Sequence, residues 1–313
     1  MNCELYKERS YAACISEGFK FFAKNLKLFA RVMLPYCFIC ALLSLVANMI
    51  ILRYAFATQA GQVLNWKDSV TILLTILFTG LACAAVYLFA NGRLFLALRR
   101  LTGVDETLPE QKTSKWSIKL PTKDLQLTWK LTVRSLPFTV ILPVTLIVCY
   151  GIFYSLLATV LEVLKAPQIV AVSILLLVLV ISLIIVLIAV APLTFSYYHH
   201  MMQPEAPKLR KVKETYKKGS RHLWKILGIN LLTIFITLVL TILLRLPELI
   251  LTQAYTQSQT DNIMMGDTTM IPMQSIILLS LVSSCASAFV LLISIPENIV
   301  NLYLYGDIET REK

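Results

Sequence analysis

Charged residues are scarce in this sequence. Asp, Glu, Lys and Arg make up 15% of its 313 residues, whereas they make up about a quarter of an ordinary soluble protein. Hydrophobic residues make up 57%, which indicates that lipid rather than water surrounds much of the chain. The net charge of +11 does not indicate a nucleic-acid partner, because the Lys and Arg residues lie between apolar segments and not on a soluble basic surface.

Sequence motifs of the common enzyme classes are also missing. The chain has no GxSxG, P-loop, HExxH or GxGxxG motif. It has three histidines. The adjacent His199 and His200 would point about 100° apart on a helix, and Glu205 has no usual ligand spacing to them. We therefore predict that the protein is not an enzyme and holds no metal or other cofactor.

Six segments are long and apolar enough to cross a membrane, which takes about 20 residues. They are residues 28–52, 70–90, 136–161, 169–195, 226–246 and 271–295. Backbone groups cannot stay unpaired in hydrocarbon, and these segments lack the strict alternation of barrel strands, so we predict helices. The predicted fold class is all-α, a single polytopic membrane domain over residues 1–313.

The distribution of Lys and Arg predicts the orientation of these spans, because short cytoplasmic loops retain such residues. Residues 1–31, 99–134, 197–225 and 306–313, called here the basic segments, hold 24 of the 29. The opposite loops hold only Arg53, Lys67 and Lys165. We predict a multi-pass protein of the cytoplasmic membrane with its N-terminus and C-terminus on the cytoplasmic side.

A basic amphipathic helix is predicted before the first, third and fifth spans. Apolar residues recur at helical spacing at Tyr11, Ile15, Phe19, Phe22 and Leu26, at Leu125, Trp129, Val133 and Leu136, and at Val212, Tyr216, Leu223 and Leu227. Such helices lie in the headgroup plane. One interpretation is a structural elbow that leads each hairpin into the bilayer. The other is recognition of anionic lipid headgroups by Lys20, Lys24, Lys123, Lys130, Lys213, Lys217 and Arg221.

The three amphipathic helices suggest an internal repeat. Each is followed by a predicted pair of spans, which gives blocks of residues 1–100, 101–204 and 205–313. The sequence RVMLPY at 31–36 resembles RSLPF at 134–138. We predict a threefold hairpin pseudo-repeat.

Ionisable residues avoid the centres of the spans. Arg93 and Glu297 lie at similar depth near the inner ends of the second and sixth spans, so we predict that they pair. Arg245 and Glu248 lie three residues apart near an outer end and are predicted to pair with each other. The alternative is that all four are charges anchored at the membrane interface.

Small residues predict close helix contacts in two spans. Gly80 and Ala84 are four residues apart in the second span. The sixth span has a low-profile face that includes Ser280, Ser284 and Ala288. We expect both faces to pack against other helices.

Two segments carry a likeness to a known family. They are KKGSRHLWKILGIN at 217–230 and PENIVNLYLYGDIETRE at 296–312, within which Pro296, Tyr305, Asp307 and Arg311 match the family's pattern. The chain resembles the glycerophosphoryl diester phosphodiesterase membrane-domain family of six-span prokaryotic proteins. Glu309 departs from this pattern, which has a basic residue there. The catalytic domain of some relatives has no counterpart in this sequence, so the resemblance implies a membrane fold and no phosphodiesterase activity.

These observations predict a non-enzymatic integral membrane protein, acting as a scaffold, a partner-binding protein or a component of envelope maintenance. Its expected partners are the lipid bilayer, including anionic headgroups, and proteins that the sequence does not identify. The alternative is a transporter or channel for a small or lipid-like solute, favoured if a continuous polar cavity passes Asn230 and Ser284. A lipid-modifying enzyme at the inner interface is a third hypothesis.

Overall fold

The computed structural model is helical throughout its regular elements. It describes residues 5–59, 63, 65–104, 122–141, scattered positions between 144 and 159, 168–203, 210–266 and 271–312. The helices are α1 (Tyr11–Lys24), α2 (Leu26–Gln59), α3 (Trp66–Thr102), α4 (Thr122–Leu136), α5 (Gln168–Met202), α6 (Arg210–Arg221), α7 (Leu223–Met264) and α8 (Met273–Arg311), with a π-helical turn at Pro137–Ile141. The all-α prediction is confirmed over this part of the chain.

Five of the described helices are long and apolar enough to cross a membrane. The qualifying stretches are Leu26–Thr58, Trp66–Thr102, Leu176–Met202, Leu223–Met264 and Met273–Arg311. They cover five of the six predicted spans. The remaining one, at 136–161, lies largely outside the described residues. The 42 residues of α7 extend about 60 Å, twice the ~30 Å of a hydrocarbon core, so its ends project beyond a bilayer.

The chain packs as two compact units, each built from separate parts of the sequence. Unit 1 comprises Met1–Gly18, Phe95–Leu232 and Val300–Lys313. Unit 2 comprises Phe19–Leu94 and Thr233–Ile299. These boundaries differ from those of the three predicted repeat blocks, and the repeat stays a prediction.

The core of unit 1 lies where the last turns of α3, α5 and α8 meet. The ring of Phe95 lies 5.4 Å from that of Tyr197, and the ring of Phe195 lies 5.5 Å from that of Tyr305, measured between centroids. Leu302, three residues before Tyr305 on α8, is also buried. The apolar residues past the predicted ends of these spans therefore form a protein core, with aromatic packing typical of soluble domains.

Unit 2 exposes large apolar side chains along its helices. Leu73, Phe78 and Leu81 of α3, Val46 of α2 and Phe235 of α7 are all exposed. Soluble proteins rarely expose apolar patches of this extent. Lipid tails would cover them, as expected of a membrane-embedded protein.

The two helix faces predicted to pack closely through small residues differ in their surroundings in unit 2. On α8, Ser280 and Ser284 are buried, in agreement with close packing. On α3, a Cβ atom added to Gly80 would meet nothing within 4 Å among the described residues. Among the described residues no helix packs on this face, and the close contact predicted for Gly80 and Ala84 stays a prediction.

The two sides of α4 reverse the usual arrangement of a surface helix. Trp129 is 62% exposed, with Leu125 and Val133 exposed beside it, whereas Thr128 is fully buried. The Thr128 hydroxyl donates to the Asp124 carbonyl at 2.7 Å, and the buried Ser135 hydroxyl donates to the Thr132 carbonyl at 2.8 Å. Because these hydroxyls are satisfied within the helix, Thr128 and Ser135 can be buried while Trp129, Leu125 and Val133 face outward.

Candidate functional site

A group of charged side chains in unit 1 is the best-defined polar site among the described residues. We call it the Asp307 cluster, and it consists of Glu8, Arg9, Glu17, Lys225, Asp307 and Arg311. Three parts of the chain supply it: the N-terminal segment with α1, the first turn of α7 and the last turns of α8. A charge buried at such a site requires paired partners.

Asp307 lies at the centre of this cluster, with no exposed side-chain surface. Its Oδ1 accepts from the Arg9 backbone N–H at 2.6 Å and from Nε of Arg311 at 3.1 Å. Its Oδ2 accepts from Nζ of Lys225 at 2.6 Å, and the same ammonium donates to the Arg9 carbonyl at 2.6 Å. One carboxylate thus joins the N-terminal segment, α7 and α8.

Arg9 makes further side-chain contacts within the cluster. Its Nε donates to Oε2 of Glu17 at 2.5 Å, and its guanidinium carbon lies 4.8 Å from the centre of the Tyr303 ring. The Cys14 thiol lies in this environment. Burial, together with the negative charge of Asp307, raises the pKa of Cys14 to about 11, so the thiol stays protonated and unreactive at neutral pH.

Two glycines permit the close approach of the chain segments that form the cluster. A Cβ atom at Gly306 would overlap the carbonyl oxygen of Leu5. At Gly18 a Cβ atom would lie 2.7 Å from Cγ2 of Val300. Because real Cβ atoms do not approach so closely, any other residue would push the N-terminal segment and α1 away from α8.

Further contacts bring the other basic segments into the same unit. Glu312 accepts from Arg221 at 3.1 Å and lies 3.2 Å from Nε2 of His222. Arg99 donates from Nε to the Met201 carbonyl at 2.8 Å, and Arg134 donates to the Gln203 carbonyl at 3.1 Å. Residues from all four basic segments therefore contact one another within unit 1.

A histidine and a carboxylate also approach each other in unit 1. Nδ1 of His199 lies 3.7 Å from Oε2 of Glu309, and both lie near Tyr305. Burial raises the pKa of Tyr6, against the opposing effect of its hydrogen bond with Tyr305, and the charge of Glu309 adds to the rise. No group of three metal-binding side chains occurs in the described part of the chain, and Glu205 lies outside it.

The residues predicted to meet lipid headgroups lie at the protein surface wherever they are described. The exposed side chains are Lys20, Lys24, Lys130, Lys213, Lys217 and Arg221. The side chain of Lys123 lies outside the described residues. They belong to three different helices and do not form one pocket, so headgroup recognition by them stays a prediction.

The predicted pair of Arg93 and Glu297 lies in unit 2. The Arg93 guanidinium interacts with the Tyr36 hydroxyl. Among the described residues, the ion pairs do not include one between Arg93 and Glu297, and their pairing stays a prediction.

Arg245 and Glu248 do form the expected ion pair, and it belongs to a longer polar chain in unit 2. Their closest atoms are 3.8 Å apart. Oε1 of Glu248 accepts from the Ser283 hydroxyl at 2.8 Å, and Ser283 Oγ accepts from Nδ2 of Asn48 at 3.1 Å. Four polar side chains therefore join α2, α7 and α8 within apolar helices.

Comparison with known proteins identifies no similar protein. No family model matches the chain, and neither does a curated protein or a solved structure. The two segments that carry the family likeness, 217–230 and 296–312, pack against each other through Lys225 with Asp307 and His222 with Glu312.

Sequence reasoning did not find the Asp307 cluster. In the sequence Asp307 and Arg311 stand out only through the family resemblance, and Arg9 and Lys225 only as cations that indicate the orientation. The signal in the sequence is weak but present: Asp307 is an acidic residue in an otherwise apolar stretch, LYLYGDI, that continues the last span.

Proposed function

We propose that the protein is a non-enzymatic integral protein of the cytoplasmic membrane that acts as a scaffold. In this proposal unit 1 presents the basic segments to the cytoplasm as a rigid platform for a protein partner. The exposed cations of α4, such as Lys130, hold that platform against anionic lipid headgroups, and the exposed Lys213 and Lys217 of α6 face the partner. Partner binding or envelope maintenance would be its biological role.

The observation that carries this proposal is the convergence on Asp307. Segments outside the lipid core that contact one another must lie on the same side of a membrane. Arg9, Lys225 and Asp307 come from three of the basic segments and are in direct contact. This supports a common, cytoplasmic side for both termini, as the excess of Lys and Arg predicts.

The contacts of Arg99 support a sixth span. Arg99, near the end of α3, donates to the Met201 carbonyl near the end of α5, so both helix ends lie on one side. If α5 crosses the membrane, its start at Gln168 lies on the other side. The chain between α3 and α5 must then cross once more, and residues 136–161 are the apolar segment available for it.

The two cavities described for unit 2 also favour a scaffold over a pore for polar solutes. Their walls are formed almost entirely by apolar side chains, Leu34, Phe38 and Leu281 in one and Leu240 and Phe289 in the other. Ser284 reaches one wall, but its hydroxyl donates to the Ser280 carbonyl at 2.7 Å.

The polar chain from Asn48 to Glu248 favours transport as a second candidate. Ionisable groups in a membrane usually mark a path for ions or solutes. Ser283 bridges the amide of Asn48 and the carboxylate of Glu248, which places a charged group among three apolar helices. A small or lipid-like solute is the class of ligand that this alternative predicts.

Site-specific photo-crosslinking in intact cells distinguishes the two candidates. A photoreactive amino acid replaces Lys213 or Lys217, which are exposed on α6, and replaces the lipid-facing Leu77 of α3 as a matched control. A scaffold predicts a discrete crosslinked protein at positions 213 and 217 and none at position 77. No protein crosslink at the α6 positions, together with solute flux in proteoliposomes that Glu248→Gln abolishes, would overturn the scaffold in favour of the transporter.

A further inference from the structure

Two apolar grooves lie side by side on the lipid-facing surface of unit 2. The first, of about 350 Å³, runs between α2 and α8. The second, of about 210 Å³, lies between α1, α7 and α8. Phe289 and Leu292 of α8 line both grooves, so they form a wall between them.

The length of the first groove equals the thickness of one leaflet. Its lining residues extend from Leu34 to Leu45 on α2 and from Leu281 to Leu292 on α8. Eleven residue steps of helix span about 16 Å, and half of a hydrocarbon core is about 15 Å. On α8 these residues run from about the middle of the predicted span 271–295 to near its inner end, so an acyl chain along the groove would lie in the inner leaflet.

The first groove opens directly to surrounding lipid. Phe38, Leu42 and Leu281 line it and are exposed. Its floor includes the smaller side chains of Ala41 and Ala288. Such a channel is accessible to a lipid that diffuses in the bilayer. Its polar lining groups are the Ser284 hydroxyl, which donates to the Ser280 carbonyl, and the thiols of Cys37 and Cys285, so the wall is almost entirely apolar.

Cations lie at one end of the two grooves. Phe19 and Phe22 of α1 line the second groove, and Lys20 and Lys24, four residues apart, are exposed on the same helix. Arg31 is exposed one turn before Leu34, where the first groove begins. Positive charge therefore lies near the end of the first groove at Leu34 and on the helix that supplies Phe19 and Phe22 to the second.

From this arrangement we infer that unit 2 holds one anionic phospholipid, with an acyl chain in each groove, on either side of Phe289 and Leu292, and its phosphate beside Lys20 and Lys24. The charge complementarity and the leaflet length select a two-chain anionic lipid over a second copy of the chain. This inference rests on the proposed membrane location but does not depend on the scaffold role.

Native mass spectrometry of the full chain tests this inference. The protein is purified from nanodiscs that contain equal amounts of phosphatidylglycerol and phosphatidylethanolamine, and the lipids that remain bound are identified. We expect one phosphatidylglycerol per chain. Ala288→Phe and Ala41→Phe fill the first groove and should abolish retention, whereas Ala84→Phe, on the exposed surface of α3, makes the same change outside the groove and should leave it intact.

The headgroup is tested by variants at exposed lysines. Lys20→Gln with Lys24→Gln removes two exposed charges and should reduce the preference for phosphatidylglycerol over phosphatidylethanolamine by about tenfold. Lys213→Gln with Lys217→Gln, on α6 of unit 1, should leave the preference unchanged.

Three results separate the ways in which the inference can fail. Unchanged lipid retention in folded Ala288→Phe would overturn it. So would a dimer mass that Ala288→Phe abolishes, because a second copy would then occupy the groove. Recovery of the wild-type chain in the soluble fraction of cells would instead contradict the membrane location on which the proposed function depends.

Discussion

Asp307 is the residue on which the packing of the N-terminal segment depends most. It is fully buried and accepts hydrogen bonds from the Arg9 backbone, Lys225 and Arg311. Removing one partner of a buried ion pair leaves uncompensated charge, which costs about 3 kcal/mol or more. Asp307→Asn keeps the shape of the side chain and should lower the free energy of unfolding by about that amount, measured by denaturation in detergent.

A matched control for Asp307→Asn is available within the same cluster. Glu8 pairs with Arg311 at 3.4 Å, but its side chain is 63% exposed. Exposed ion pairs contribute little to stability, so Glu8→Gln should leave the unfolding transition almost unchanged. Equal losses of stability in the two variants would contradict the central role assigned to Asp307.

The exposed cations were predictable from the sequence and the buried ion pairs were not. The exposed position of Lys213, for example, follows from a charge placed off the apolar stripe of a helix. The pairing of Arg9 with Glu17 and of Lys225 with Asp307 depends on contacts between distant segments, 82 residues apart in the second case. A rule that counts Lys and Arg along the chain contains no information on which anion each will meet.

Among the helices, α4 offers the clearest test of lipid contact. Its exposed residues include Trp129, Leu125 and Val133, and its buried residues are mostly polar, although Leu131 is buried with them. A helix with this arrangement is stable when lipid covers the apolar side. We predict that the fluorescence of Trp129, in a variant with Trp66, Trp116 and Trp224 replaced by Phe, is quenched by brominated lipids in liposomes.

Aqueous iodide provides the opposite probe for the same single-tryptophan variant. Because lipid excludes iodide, it should quench Trp129 weakly. A second variant that retains only Trp66, at the start of α3 and exposed, reports on the interface at the other end of a span. Strong quenching of Trp129 by iodide with none by brominated lipid would show that α4 faces water.

The periodicity of apolar residues predicts that α1, α4 and α6 are helices. It does not predict whether protein or lipid covers the apolar side of each helix. The stripe on α4 is exposed, whereas on α6 the hydroxyl of Tyr216 donates to the Ala189 carbonyl of α5 at 3.1 Å. Gly219 of α6 also lies against the backbone of Pro192. A stripe shows which side of a helix is apolar, and neighbouring helices decide whether protein or lipid covers it.

At the scale of the whole molecule, the helical class of the fold follows from simple physical requirements. Apolar runs of about 20 residues must be helical in lipid, and five of them are described as such. The convergence of the basic segments on unit 1 was not predictable in detail, because it needs close approaches such as that of Gly306 to Leu5. Those contacts depend on side-chain shape rather than on hydropathy.

The side of the membrane on which each segment lies is the central claim, and labelling of introduced cysteines tests it directly. Lys67→Cys, Lys165→Cys and Lys213→Cys are placed one at a time in a chain whose seven native cysteines are replaced by Ser. In intact cells, a membrane-impermeant maleimide should label positions 67 and 165, and it should reach position 213 only after permeabilisation. Labelling of positions 67 and 213 from the same side would contradict the account.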